Sequence, residues 1–179
     1  MEPVTTDSLL LLAEQLGERL ATPFRLYLLG GSAMLLLGSP RATKDVDYDL
    51  DPSGLDALEP RQILAELAEE LRLDLEFVPL AEFVPLPAGF EDRHRVVGRF
   101  RQLELLIFDP YSLALSKIAR GFEADLEDVV FLLHRELINM AELRAMFESV
   151  LPRAWDADVD PVEFAQYFDE LERLIHRDT

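Results

Sequence analysis

The sequence predicts an α+β fold, with a mixed α/β front half over residues 1–109 and an all-helical part over 110–179 packed on it as a single compact domain. Three observations carry that reading. Polar and apolar residues alternate in "KDVDYDL", the period of a half-buried strand. "HRVVGRF" and "LELLIFD" read as two strands joined at Arg101 and Gln102. From Pro110 onward apolar residues recur at helical spacing.

In chain order, Leu9, Leu12, Leu16 and Leu20 follow a helical period behind Thr6 and Asp7, which can cap the first turn, so 7–21 is expected to be a helix. "FRLYLLG" is a short buried strand stopped by Gly30 and Gly31. "SAMLLLG" suits a short buried helix with Ser32 near its N-cap and Gly38 at its end. "KDVDYDL" supplies the next strand, "RQILAELAEELR" an amphipathic helix, and "LDLEFVP" a further strand. "LAEFVPLPAGFEDR", with two prolines, is an irregular loop. After the strand pair come four helical stretches: "PYSLALSKIARG", "EADLEDVVFLLHREL", "MAELRAMFESVL" and "VEFAQYFDELERLIHR". No repeat or low-complexity tract interrupts them.

The 179 residues suffice for one domain with a real core. No apolar run approaches the ~20 residues that span a bilayer, and "MEPVTTDSLL" lacks the basic-then-apolar pattern of a signal peptide. The chain has no Cys, which excludes disulfides and thiolate metal sites. The expected location is the cytoplasm. A formal charge of -18 repels phosphate backbones beyond a Debye length of ~8 Å, so generalised nucleic-acid coating is excluded and any phosphate ligand needs a local cation. The 17 basic residues are 15 Arg and two Lys, Lys44 and Lys117. His94, His134 and His176 show no ligand spacing, and there is no Ser-His-Asp or zinc pattern.

The chemistry concentrates in "YLLGGSAMLLLGSPRATKDVDYDLD". In a strand, Asp45, Asp47, Asp49 and Asp51 share one face while Val46, Tyr48 and Leu50 face the core. Carboxylates that close together raise one another's pKa or recruit a cation. Mg²⁺ takes such oxygen ligands and keeps positions open for water and substrate phosphate. The glycine turn just upstream offers backbone N–H groups for a phosphate, with no Cβ to block its approach. A solvated acidic face is the plainer reading of the same residues. A calcium loop through Asp45, Asp47, Asp49, Asp51 and Asp56 is a third, but it needs Gly at the sixth position, where Leu50 stands. Arg93, Arg95, Arg99 and Arg101 share one parity. In a single extended strand they would line one face as a path for a phosphodiester acceptor; the competing reading is an edge strand defended by charge, or arginines paired with surplus acid.

"GGSA" followed by "RATKDVD" resembles the glycine turn and Asp-x-Asp of the nucleotidyltransferase superfamily, with its DNA polymerase β-like fold. The chain looks closest to the small bacterial toxin- and antitoxin-associated proteins of the AbiEii/MenT type. "DPYSLALSKIARGFEADLEDVVFLL" is similar to that group's helical Lys followed by an Asp-x-x-Asp helix, so the likeness spans roughly residues 24–133. It implies a mixed β-sheet flanked by helices with a C-terminal helical segment. By the same resemblance Gly30, Gly31, Ser32, Arg41, Thr43 and Lys44 would bind nucleotide, and Asp45 and Asp47 would hold Mg²⁺ (or Mn²⁺). Lys117 would contact a phosphate, and Asp125 or Asp128 would complete the site. The superfamily often has a third carboxylate on the strand after the next helix, where this chain offers Asp74 and Glu76. The implied reaction moves a nucleoside monophosphate from a Mg-bound NTP to an acceptor hydroxyl on tRNA or protein, in an enzyme with a cognate toxin or antitoxin. The alternative is a catalytically silent, antitoxin-like binding module on the same fold, or a plain acidic interaction domain.

Overall fold

The computed structural model describes residues 2–51 and 58–177. The chain forms two compact units: Met1–Pro79 with Arg95–Phe108, and Leu80–His94 with Asp109–Thr179.

The first unit holds α1 (Thr6–Arg19), β1 (Phe24–Leu28), α2 (Gly30–Leu36), β2 (Asp45–Leu50), α3 (Leu58–Leu71), β3 (Asp74–Phe77), β4 (Arg95–Phe100) and β5 (Leu103–Ile107). The five strands form one mixed sheet in the order β3-β2-β1-β5-β4. β1 runs parallel to β5 and antiparallel to β2; β2 and β3 are parallel, β4 and β5 antiparallel. Register separates two faces. Leu26 lies opposite Leu50 and Leu105, and Val46 opposite Leu75, so these residues share an apolar face. α1 packs on β4, β5 and α3, and α3 on β3. They bury Leu9, Leu12 and Leu16 from α1 and Ile63, Leu64 and Leu67 from α3, each worth roughly 1.5–3 kcal/mol of hydrophobic stabilisation when fully buried. α1 comes so close to β4 that a Cβ on Gly17 would stand 1.8 Å from the Phe100 carbonyl oxygen. The other face carries Asp45, Asp47, Asp49, Asp74, Glu76, Arg25, Tyr27 and Glu104 by the same register.

Local signals explain the element ends, and two differ from expectation. α1 is capped by a Thr5–Ser8 capping box rather than by Thr6 and Asp7. α2 opens at Gly30, with φ +50°, behind an extended Leu29, so Ser32 sits inside the helix and not at its cap. A left-handed first residue is open to glycine and costly for any side chain, which starts the helix two residues before the serine.

The second unit holds α4 (Pro110–Arg120), α5 (Glu123–His134), α6 (Met140–Val150) and α7 (Pro161–Arg177), with 3-10 turns at Leu80–Glu82, Phe90–Arg93 and Leu151–Ala157. Residues 80–94 thus belong with the helices. What fastens them is Asp109, fully buried at the start of α4. Its carboxylate accepts from Tyr111 N (3.1 Å), Ser112 N (3.2 Å) and Ser112 Oγ (2.7 Å), and takes Arg93 Nε and Nη2 at 3.0 and 2.9 Å. Two-point guanidinium pairing fixes direction as well as distance. Phe147 stacks on Phe168 and meets Phe164 edge-on in the apolar centre of α6 and α7. Among the described residues no helix is long and apolar enough to cross a membrane.

Candidate metal and nucleotide site

β2 brings the first two aspartates to one side of the sheet, and parallel pairing with β3 sets Asp45 opposite Asp74 and Asp47 opposite Glu76. Both candidate third carboxylates therefore share the face, but among the described residues the group whose carboxylate oxygens can come within 4.8 Å of one another is Asp45, Asp47 and Glu76. Asp74, two residues nearer the start of β3 and opposite Asp45, is outside it. Asp45 and Glu76 are exposed and Asp47 is half-buried. Three like charges so close repel unless a cation joins them, and an all-oxygen donor set suits a hard divalent ion. The donor chemistry thus fits Mg²⁺ or Mn²⁺.

The glycine turn abuts this group. A Cβ on Gly30 would lie 2.0 Å from Asp47 Oδ2, and one on Gly31 would lie 2.5 Å from Thr43 Oγ1. What the absence of a Cβ accommodates at this turn is Asp47 and Thr43. Leu29 N donates to the Asp47 carbonyl at 2.9 Å, which ties the residue before the turn to β2. Ser32 is completely buried, and its hydroxyl donates to Leu29 O at 2.9 Å, with Asp47 O at 3.3 Å. Thr43 Oγ1 donates to Asp45 O at 3.2 Å. Of the other residues in that loop, Lys44 is exposed beside Asp45, and Arg41 is exposed with its N–H donating to Ser39 Oγ.

The row of four aspartates divides along the strand. Asp49 Oδ1 accepts from Leu50 N at 2.7 Å. Asp51 lies by Tyr27, whose phenol is pushed above its ordinary value first by burial and then by that carboxylate. The helix-flanked calcium loop is excluded by the strand at Asp45–Leu50; its fifth member, Asp56, lies outside the described residues.

In the helical unit, Lys117, Asp125 and Asp128 come together. Lys117 Nζ is 2.7 Å from Asp128 Oδ2 and 3.4 Å from Asp125 Oδ1, and Arg120 Nε is 3.0 Å from Asp125 Oδ2. All three members of the Lys–Asp–Asp cluster are buried, Lys117 at 6% exposure. Its ammonium is matched by carboxylates supplied by α5.

The four arginines do not share a face. A bulge shifts the β4–β5 register between Val96 and Gly98, so that Arg95 pairs with Ile107 but Arg99 with Glu104. Those partners point to opposite sides of the sheet, and the extra residue reverses the parity on which the common face depended. Arg93 is not in the strand: it is engaged by Asp109. Arg101 sits in the β4–β5 turn at φ +54°, with Glu18 at 3.9 Å, and Arg99 Nε is 3.2 Å from Glu104. Three of the four, Arg93, Arg99 and Arg101, are thus paired with acids. Sequence reasoning missed Arg25, which joins Arg99 at Glu104; the polar-apolar alternation of "FRLYL" was its available signal.

Residues 8–173 match the family described as "Nucleotidyltransferase of unknown function (DUF6036)". Among solved structures, an antigenic nucleotidyltransferase-like protein from Paracoccidioides brasiliensis is similar, with a TM-score of 0.50 at 15% identity over 87% of this chain and 94% of that one. That likeness is one of fold. No curated protein matches the chain.

Proposed function

Because the chain belongs to the nucleotidyltransferase family DUF6036, we propose that it moves a nucleoside monophosphate from an NTP to an acceptor hydroxyl, with Mg²⁺ or Mn²⁺ held by Asp45, Asp47 and Glu76. The observation that carries this reading is the convergence of those three carboxylates beside the glycine turn. A divalent ion there would supply Lewis-acid polarisation of the triphosphate and a lowered pKa for the acceptor hydroxyl. The chain's own residues do the rest. Asp47, wedged against Gly30, keeps its carboxylate in one place, so the ligand geometry is set before nucleotide arrives. The first-turn N–H groups of α2, at Gly30, Gly31 and Ser32, are donors that a helix leaves without intrahelical partners, and they suit triphosphate oxygens. Lys44, exposed next to Asp45, adds a cation on a strongly acidic surface. No side chain of this group need form a covalent intermediate. The acceptor we favour is RNA, tRNA included, or a protein hydroxyl, and the likeness to AbiEii/MenT proteins supports a toxin–antitoxin setting with a cognate partner.

One observation favours a second reading, a catalytically silent binding module. Lys117, the residue that the family resemblance assigns to a phosphate, has its charge neutralised inside the helical unit by Asp125 and Asp128. Incubating the protein with each α-labelled NTP, Mg²⁺ and total RNA, or with protein alone, separates the two. Transfer of label by the wild type and none by Asp47→Asn supports the enzyme. No label with any NTP, together with Mg-dependent NTP binding, establishes the silent module.

A further inference from the structure

Each of the two strand aspartates in the acidic group has its main-chain carbonyl held by a hydroxyl from a neighbouring segment. Asp45 O accepts from Thr43 Oγ1 at 3.2 Å. Asp47 O accepts from Leu29 N at 2.9 Å and lies 3.3 Å from Ser32 Oγ, whose single proton is shared with Leu29 O at 2.9 Å. Thr43 is held in turn, because its own carbonyl accepts from Val4 N at 2.8 Å. Its Oγ1 and Cβ occupy the space over Gly31, 2.5 and 2.7 Å from where a side chain would begin.

We infer that Ser32 and Thr43 are positioning residues of the metal group, fixing the main chain of Asp47 and Asp45 against the glycine turn so that the three carboxylates meet at one ion. The inference rests on the metal-dependent reading above. The physical reason is the narrow geometry of the proposed ion: Mg²⁺ accepts oxygens at about 2.0–2.1 Å in a near-octahedral shell, so a shift of a fraction of an ångström in either carbonyl moves a ligand out of range. Ser32, fully buried with its hydroxyl bound to main-chain oxygens, acts through Asp47 and not by side-chain contact with a phosphate. Thr43 acts through Asp45 by its hydroxyl, and its methyl group is not required.

The test is the affinity of the full chain for Mn²⁺ alone, measured by electron paramagnetic resonance or calorimetry, with circular dichroism to confirm folding of each variant. Thr43→Val keeps the shape and removes the hydrogen bond. Its Mn²⁺ dissociation constant should rise about 10-fold or more, the usual cost of losing a group that orients a metal ligand. Ser32→Ala should do likewise, while Thr43→Ser, which retains the hydroxyl, should stay within about twofold of the wild type. Should Ser32→Ala fold poorly, the half-exposed Thr43 pair decides the question by itself. Wild-type affinity in Thr43→Val, or equal loss in Thr43→Ser and Thr43→Val, overturns the inference while leaving the metal site intact. Wild-type protein that binds no Mn²⁺ overturns the metal reading and this inference with it. Binding abolished in Asp47→Asn but unaltered in both hydroxyl variants overturns the inference alone.

Discussion

Replacing Gly30 by alanine should have two effects that a single set of melts can separate. The first is local strain. Gly30 sits at φ +50°, and an L side chain in the left-handed region costs about 1–2 kcal/mol. For a chain of this size 1 kcal/mol corresponds to roughly 2–4 °C in melting temperature, so metal-free Gly30→Ala should melt about 2–8 °C below wild type. The second effect falls on Asp47. A new Cβ would stand 2.0 Å from its Oδ2 and 3.3 Å from its Cβ. Rotation of the carboxylate relieves that clash with little backbone movement, and it carries one of three proposed ligands away from the other two. At a hundredfold excess of Mn²⁺ over the wild-type dissociation constant, binding stabilises by roughly 2.7 kcal/mol. A tenfold weaker site at the same concentration gains only about 1.4 kcal/mol. Scanning calorimetry in EDTA and in Mn²⁺ reads both numbers. The reasoning is refuted if Gly30→Ala keeps the full wild-type Mn²⁺ shift, because Asp47 would then hold its ligand position without the space that glycine leaves.

Three further outcomes are expected. Asp47→Asn removes one of three crowded like charges, so its melt in EDTA should be unchanged or slightly raised while its Mn²⁺ shift collapses; a marked loss of stability in EDTA would instead assign Asp47 a structural role. Lys117→Met takes away the ammonium 2.7 Å from Asp128, and breaking a buried ion pair on one side costs about 3–5 kcal/mol. Its melt should therefore fall by roughly 6–20 °C, and an unchanged melt would show that the cluster contributes nothing to the helical unit. Tyr27, Tyr48 and Tyr111 are each held above the ordinary phenol value, by burial first, with Asp51 adding to Tyr27 and Glu142 to Tyr111. Since the native phenols bind their protons more tightly than the unfolded ones, their contribution to stability is complete below about pH 10 and is lost as pH rises through the folded values. Absorbance at 295 nm should show three tyrosines ionising above pH 10 together with alkaline loss of structure; ionisation near 10 with the fold intact would contradict this.

The elements that sequence placed well are those where one period dominates. The two-residue alternation of β2 put Asp45 and Asp47 on a common side without help from any neighbour, and the leucine spacing of α1 marked its buried stripe. What sequence could not resolve depended on partners. Asp74 and Glu76 have the same parity in the same strand, and only the register with β2 and the actual reach of each side chain separate them. The arginine face was lost to a single bulge at Val96/Gly98; a strand glycine is a cue for such a bulge, but it does not announce which residues change sides. Serine favours caps, which makes Ser32 the cap candidate in the sequence, whereas a left-handed glycine two residues earlier determines where the helix begins. Which carboxylates α5 delivers to Lys117 is a fact of helix pairing that spacing along one helix does not contain.

The burial of Lys117 also decides how this protein meets amine-directed reagents. The chain has two lysines in all, and one of them is buried against carboxylates that shut it off from solvent. Among side-chain amines, acylation by a succinimidyl ester is therefore confined to Lys44, the residue immediately before Asp45. A fluorophore attached by ordinary lysine chemistry would arrive, without any engineering, at the edge of the acidic group, where its emission would report a paramagnetic ion bound by the three carboxylates.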